Sequence, residues 1–81
     1  MNDDSRIIAE LESEFVELYK ILKFEGVSHS GGAAKQAIAE GLVSVNGEVE
    51  TRKRKKISAG DQIEIDGRTI NIVNKNQKDG F

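Results

Sequence analysis

The spacing of apolar residues predicts a first helix early in the chain. Five apolar residues fall on one arc when successive residues are placed about 100° apart, as they are on an α-helix. Ser13 is a candidate N-cap, and Gly26 follows the pattern as a C-terminal glycine does. The pattern predicts a helix over residues 14–25. The residues on the arc are Phe15, Leu18, Tyr19, Ile21 and Leu22.

A second helix is predicted over residues 31–40, where Gly41 ends it. Ser28 and Ser30 are candidate N-caps at its start. A helix of about ten residues is too short to be stable alone, so we expect it to pack on the first helix. Lys35 lies outside the apolar arc and is expected to point to solvent. The arc consists of Ala33, Ala34, Ala37 and Ile38.

Beyond Gly41 the apolar period changes from 3.6 residues to 2, which is typical of strands. Asn46-Gly47 and Asp66-Gly67 each predict a two-residue hairpin turn, because both turn positions need φ > 0. Residues 58–61, Ser-Ala-Gly-Asp, predict a further turn. The side chains predicted to face the core are Val43, Val45, Val49, Ile63, Ile65, Ile70 and Ile72.

The ends of the chain complete the predicted organisation. Residues 6–12 favour a short strand, with the start of a helix as the alternative. Residues 1–5 and 74–81 carry no apolar pattern and are expected to be flexible. Length predicts a single domain of residues 1–81, with an ordered core over about 6–73. The predicted fold class is α+β, with two helices packed on one side of a small, largely antiparallel β-sheet.

Composition fits a small soluble protein and argues against several kinds of chemistry. Hydrophobic residues make up 37% of the 81 residues, and no apolar run is long enough to span a membrane. Cysteine is absent, His29 is the only histidine and the carboxylates are scattered, so we expect no thiolate chemistry, no metal site, no catalytic triad and no acid/base pair. The acidic N-terminus lacks the layout of a signal peptide, so the expected compartment is the cytoplasm.

Positive charge is concentrated in one segment of a chain whose net charge is −2. The run cannot be a regular central strand, because the face shared by Val49 and Ile57 would also bury two lysines. We therefore predict a loop, a bulge or a protruding edge that keeps its cations in water. A basic patch on a mildly acidic body points to one anionic partner surface. The five consecutive cations are Arg52, Lys53, Arg54, Lys55 and Lys56.

The residues alone leave two interpretations of this basic run. Charge runs are commonly solvated loops or lysine-protected edge strands. The isolation of the run favours an anion site instead, as does the helix start at Ser30, Gly31 and Gly32, whose free N–H groups can hold a phosphate. Lys35 fits an exposed helix cation and a phosphate contact equally well. Aromatic residues at helical spacing are assigned to the core rather than to base stacking, namely Phe15, Tyr19 and Phe24.

Three stretches resemble the RNA-binding domain first described in a ribosomal small-subunit protein of the S-four type. They are "ELYKILKFEG", "SGGAAKQAIAEGLVSVNGEVETRKRKKI" and "AGD", and the likeness covers roughly residues 8–73. The helix–loop–helix of that domain is called the alpha-L motif. The likeness extends to small stand-alone bacterial proteins of the YbcJ type.

This resemblance implies two packed helices on a small sheet, binding structured RNA such as ribosomal or transfer RNA, without catalysis or a cofactor. The implied contacts are Ser30, Gly31, Gly32, Lys35 and the basic run over residues 52–56. One departure is visible, because larger relatives often begin the motif with an Arg-Leu-Asp segment. Here the stretch is "VELYKIL", without that arginine.

Other functions fit fewer features of the sequence. The main alternative is a protein-interaction module that docks on a ribosome-associated partner. A role like that of a small sulfur carrier is suggested by the size and the "VNGE" hairpin, but the chain ends in "KDGF" rather than Gly-Gly. Membrane docking lacks an apolar anchor beside the basic run. We expect a monomer with RNA as its partner and no small-molecule substrate.

Overall fold

The computed structural model describes residues 6–75, in which two helices pack on one face of a mixed, mostly antiparallel sheet. This is the predicted α+β class. The helices are α1 (Leu18–Phe24) and α2 (Gly31–Ala39). The strands are β1 (Arg6–Leu11), β2 (Val16–Glu17), β3 (Val43–Val45), β4 (Glu48–Val49), β5 (Lys56–Ile57), β6 (Gln62–Ile65) and β7 (Arg68–Asn74).

The main sheet has five strands in the order β1-β7-β6-β3-β4. β1 pairs with β7 in parallel, and every other pair in this sheet is antiparallel. The predicted strand over residues 6–12 is therefore present as Arg6–Leu11, and this segment is not the start of a helix. A separate antiparallel pair joins β2 to β5, so the chain just before α1 lies beside the end of the basic run.

Both predicted two-residue turns are present. Asn46 and Gly47 have φ values of 53° and 88°, and Asp66 and Gly67 have 53° and 76°. Each pair therefore occupies the left-handed region that a type I′ turn requires. The turn over residues 58–61 is also confirmed, since the N–H of Asp61 donates to the carbonyl of Ser58 at 3.0 Å.

The core lies between the helices and one face of the sheet. Period-2 alternation places Ile63, Ile65, Ile70 and Ile72 on that face, as predicted. Val49 was wrongly assigned to the core, because its side chain is 63% exposed. It pairs with Ser44 across β3–β4, and directly opposite residues in an antiparallel pair share a face. That face is the outer one, since the neighbours of Ser44 in β3 point inward.

The predicted start of α1 was wrong. The helix begins at Leu18 rather than residue 14, because Val16 and Glu17 are extended and pair with β5. Ser13 does not cap the helix, since its hydroxyl donates to the carbonyl of Phe15 at 2.9 Å. Glu17 is the N-cap residue and makes no side-chain capping bond.

The remaining helix boundaries agree closely with the sequence pattern. α2 ends at Ala39, one residue before the predicted end, and Gly41 follows with φ 79°. Ser30 is the N-cap, since its hydroxyl accepts a hydrogen bond from the N–H of Ala33 at 3.0 Å. Ser28, the other candidate, is a buried polar residue in the loop before α2.

The predicted flexible ends fall mostly outside the described residues. Residues 1–5 and 76–81 lie outside them. Asn74 and Lys75 are described. Asn74 ends β7, and the N–H of Lys75 donates to the carbonyl of Leu11 at 2.9 Å, so the strand pairing continues one residue past the predicted core boundary at residue 73.

Candidate nucleic-acid interface

Two backbone hydrogen bonds hold the basic run against the start of α1. The carbonyl of Lys55 accepts the N–H of Leu18 at 2.9 Å, and the carbonyl of Lys53 accepts the N–H of Tyr19 at 3.1 Å. These are N–H groups at the start of α1, which have no partner within the helix itself. The basic run thus replaces the missing side-chain cap of α1.

The conformation of the run agrees with the prediction that it is not a regular strand. Residues 50–55 form a loop with a turn at Lys53 and Arg54, and only Lys56 and Ile57 belong to a strand. Ile57 is fully buried while Lys56 is exposed. The chain therefore enters the core only at Ile57, directly after the basic run.

One cation of the run is paired with a carboxylate. Glu50 accepts hydrogen bonds from the Arg52 backbone N–H at 3.1 Å and from its Nε at 2.8 Å. The hydrogen bond from the Arg52 side chain is the main reason that the pKa of Glu50 is lowered, so this pair stays ionised at neutral pH. Arg52 keeps 72% of its side chain exposed, although part of its charge is neutralised by Glu50.

An open groove separates the basic run from one side of α2. Its volume is about 980 Å³, and its walls are Lys35, Gln36 and Ala39 on α2 and residues 51–56 on the other side. We call this feature the basic groove. Six of its nine residues are cations and no carboxylate of the described chain lines it. The structure therefore brings Lys35 together with the whole predicted basic run.

Five of these six cations have no carboxylate within 4.0 Å among residues 6–75, although Lys55 is near enough to Glu50 to help lower the pKa of that carboxyl. The ion pairs within 4.0 Å in this part of the chain are Lys20–Glu17, Arg52–Glu50 and Lys75–Glu12. Of the six cations that line the groove, only Arg52 takes part in one of these ion pairs. The basic groove is therefore a concentration of positive charge that the protein itself leaves largely uncompensated. The five cations are Lys35, Lys53, Arg54, Lys55 and Lys56.

Tyr19 connects the two walls of the basic groove. Its N–H is bonded to the carbonyl of Lys53, and the Nζ of Lys35 lies 4.7 Å from its ring centroid. A cation at that distance from an aromatic face is attracted to the ring. Lys35 is half-buried and lines the open groove, so its side chain reaches solvent as predicted but only in part. The tyrosine fixes the lysine beside the basic run.

The start of α2 lies next to the basic groove but outside its walls. A Cβ on Gly31 would lie 4.0 Å from the Tyr19 ring. Gly31 and Lys35 are four residues apart and so share one face of α2. The structure therefore places Ser30, Gly31 and Gly32 one helical turn from Lys35, with Tyr19 between the helix start and the basic run.

The assignment of the aromatic residues to the core was only partly right. Tyr19 is half-buried and packs against the core, but Phe15 is 43% exposed and Phe24 67% exposed. Phe15 leaves the predicted helical arc because it precedes α1 in an extended segment. Its ring lies under Lys56, with the Nζ 4.7 Å from the centroid. Phe15 therefore supports a cation of the basic run rather than the core.

Four residues that contribute to this site were not predicted from the sequence. Gln36 and Ala39 follow Lys35 on the groove side of α2, and Thr51 precedes the cations on the other wall. Glu50 holds Arg52. The spacing of residues 35 and 39 by four is a signal that could have found Ala39, since such residues share a helix face.

The described residues offer no sign of a metal centre or a membrane span. No group of three or more metal-ligating side chains occurs within residues 6–75. Within the same range, neither helix has the length and apolar character needed to cross a bilayer. His29, the single histidine, is exposed in the loop before α2.

Comparison with known families places the same residues in a recognised domain. A family model described as the S4 domain matches residues 9–73. The matched range spans β1 to β7 and so includes both helices and the whole basic run. It agrees closely with the range over which the sequence resembles this kind of domain.

The similarity to two curated proteins extends over most of the length of each of them. YbcJ of Escherichia coli is 55% identical to this chain over 58 residues, which are 72% of this chain and 83% of YbcJ. Its name describes it, provisionally, as an RNA-binding protein. RlbA of Bacillus subtilis, provisionally named for ribosome maturation, is 39% identical over 57 residues, or 70% of this chain and 80% of RlbA.

A solved structure supports the same comparison in three dimensions. The solution structure of Escherichia coli YbcJ, described as revealing an alpha-L motif involved in RNA binding, superposes with a TM-score of 0.64 and 45% identity. The superposition covers 90% of this chain and 91% of that one. The α1–α2 pair here corresponds in the fold to that helix–loop–helix motif.

Proposed function

This chain belongs to the S4 domain family, and we propose that it is a non-catalytic protein that binds structured RNA through the basic groove. The observation that carries the proposal is the set of five cations without a carboxylate within 4.0 Å among residues 6–75, gathered on facing walls. Positive charge left uncompensated in a concave site attracts a polyanion. RNA is also the ligand ascribed by name to YbcJ.

Phosphates are the groups that these cations would contact. Lysine and arginine contacts to phosphates supply affinity and position but little sequence information. Because the two walls are tied together by Tyr19, the spacing of their charges is fixed before binding. A fixed charge pattern selects RNA by its shape, which is the usual way in which folded RNA is recognised.

The start of α2 is proposed to extend this contact surface. The N–H groups of Gly31 and Gly32 find no acceptor within residues 6–75, and they lie at the positive end of the helix dipole. With Ser30 they form a second, uncharged contact for the phosphate chain one turn from Lys35. Glycine at these positions also lets a backbone approach closely, since a Cβ at Gly31 or Gly32 would meet no atom nearer than 3.9 Å and so leaves room there.

The biological setting is proposed from the same resemblance. Ribosomal or transfer RNA is the class of ligand that we favour, because RlbA is named for ribosome maturation. We place the protein in the cytoplasm as a monomer. Docking on a ribosome-associated protein is the competing function, and it predicts binding that survives removal of RNA.

Crosslinking in cells tests the proposal. Ultraviolet crosslinking, purification of the protein and sequencing of attached RNA should recover a defined set of folded RNAs. A variant with Lys53, Arg54 and Lys55 all changed to glutamine should recover few of them, because it lacks half of the groove cations. If the wild-type protein recovers no RNA above that variant, and its partners persist after RNase treatment, protein docking replaces RNA binding as the function.

A further inference from the structure

The basic groove is larger than phosphate contacts alone require, and part of its wall is uncharged. Its volume of about 980 Å³ lies at the upper end of the range typical of pockets for drug-sized ligands, about 300–1,000 Å³. Gln36 and Ala39 on α2 and Thr51 on the opposite wall carry no charge. We call these three residues the neutral floor of the basic groove.

Opposite charges on α2 flank the two neutral residues that this helix contributes to the groove. Lys35 precedes them and lines the groove, whereas Glu40 follows Ala39 outside the lining and accepts a hydrogen bond from Gln36 Nε2 at 3.0 Å. A phosphate is therefore attracted at Lys35 and repelled near Glu40. The space over Gln36 and Ala39 suits a ligand group that is polar and uncharged.

We propose that the neutral floor holds one unpaired nucleobase of the bound RNA while the cations hold the adjoining phosphates. This inference rests on the proposed function and deepens it, since it makes the ligand an RNA with a bulge or loop rather than a continuous duplex. A base turned out of a helix offers its flat apolar face to Ala39 and its edge to Gln36 and Thr51. The amide of Gln36 stays able to accept through its oxygen, because its nitrogen is the atom that bonds Glu40.

A paired comparison of two RNAs tests the inference. One stem-loop carries a single unpaired adenosine in its stem, and the other is identical except that this nucleotide is deleted. The wild-type protein should bind the bulged RNA about tenfold more tightly by fluorescence anisotropy, because only that RNA gains the base contacts. Adenosine monophosphate should not compete at comparable concentrations, since it lacks the neighbouring phosphates.

Two floor variants separate the base contacts from the phosphate contacts. Ala39→Leu fills the floor with a good helix former, and Gln36→Leu removes the edge contact at nearly constant volume. Either variant should reduce the preference for the bulged RNA to within about twofold, measured as the ratio of the two dissociation constants so that any effect common to both RNAs cancels. Gln62→Leu is the matched control, because Gln62 is an exposed glutamine on β6 that lies outside the groove. It should keep the full preference.

The outcomes distinguish this inference from the proposed function. Equal binding of both stem-loops by the wild-type protein overturns the unpaired-base site and leaves RNA binding intact. A preference that persists in both floor variants also overturns it. Competition by adenosine monophosphate as effective as that by bulged RNA would reassign the floor to a free nucleotide. Failure to bind either RNA removes the proposed function together with this inference.

Discussion

The triple variant Lys53→Gln, Arg54→Gln and Lys55→Gln should bind a stem-loop RNA about 100-fold more weakly than the wild-type protein at about 0.1 M salt. Each phosphate contact contributes about 0.7–0.9 to the slope of log K against log salt. About four contacts give a wild-type slope of about −3, and the loss of three leaves about −1. If the plots of log K against log salt for the wild-type protein and the variant meet at about 1 M salt, the two binding constants differ by about two orders of magnitude at 0.1 M.

The control for this experiment removes the same charge elsewhere. Arg6, Arg68 and Lys75 are exposed, and none of them lines the basic groove. Changing all three to glutamine shifts the net charge by the same amount and should leave the slope near the wild-type value. Equal slopes for the wild-type protein and the groove variant would exclude residues 53–55 from the RNA site. Equal losses in both variants would indicate attraction to net charge alone.

Replacing Ile57 with alanine should destabilise the protein by about 2–4 kcal/mol, since it creates a cavity at a fully buried position. A chain of this length typically has a free energy of unfolding of about 4–12 kcal/mol, so the loss is a large part of the total. Ile57 also anchors the end of the basic run, where it pairs with Val16 in front of α1. Urea unfolding followed by circular dichroism measures the change.

The milder variant Ile57→Val makes this prediction specific to packing. It keeps the β-branched shape, removes one methyl group and should cost only about 0.5–1.5 kcal/mol. At low temperature, where Ile57→Ala is still folded, RNA binding should also weaken because Lys55 and Lys56 lose their fixed position. An alanine variant as stable as the wild-type protein would contradict the burial of Ile57 between β2, β5 and the core.

Local sequence patterns correctly predicted the turns and the helix whose structure depends on residues close in sequence. The two hairpins were predictable because Asn-Gly and Asp-Gly provide positive φ at both turn positions. α2 was predictable because Ser30 caps it and Gly41 ends it. The start of α1 was not, because its first N–H groups bond to carbonyls of the basic run more than 30 residues later. The spacing of apolar residues over 14–18 cannot reveal these long-range hydrogen bonds, so it does not locate the start of α1.

The same distinction applies to the candidate site. The five cations are consecutive in the sequence, so they could be identified directly. The cost of burying lysine predicted that they would not form a regular central strand. The position of Lys35 opposite the run depends on how α1, α2 and the run meet at Tyr19, which is a tertiary contact. Phe15 and Val49 were misassigned for a related reason. Phe15 precedes the Val16–Glu17 segment that pairs with β5 instead of continuing α1, and Val49 lies opposite Ser44 on the outer face of the sheet, so neither exposure follows from the local spacing of apolar residues.

The most direct test of the central claim is an NMR titration of the labelled protein with a stem-loop RNA. Binding in the basic groove predicts that amide signals of residues 30–39 and 51–56 shift together, while those of Ser44, Glu64 and Asn71 on the outer side of the sheet stay in place. Shifts confined to that outer side, or no shifts at RNA concentrations that saturate binding, would contradict the account.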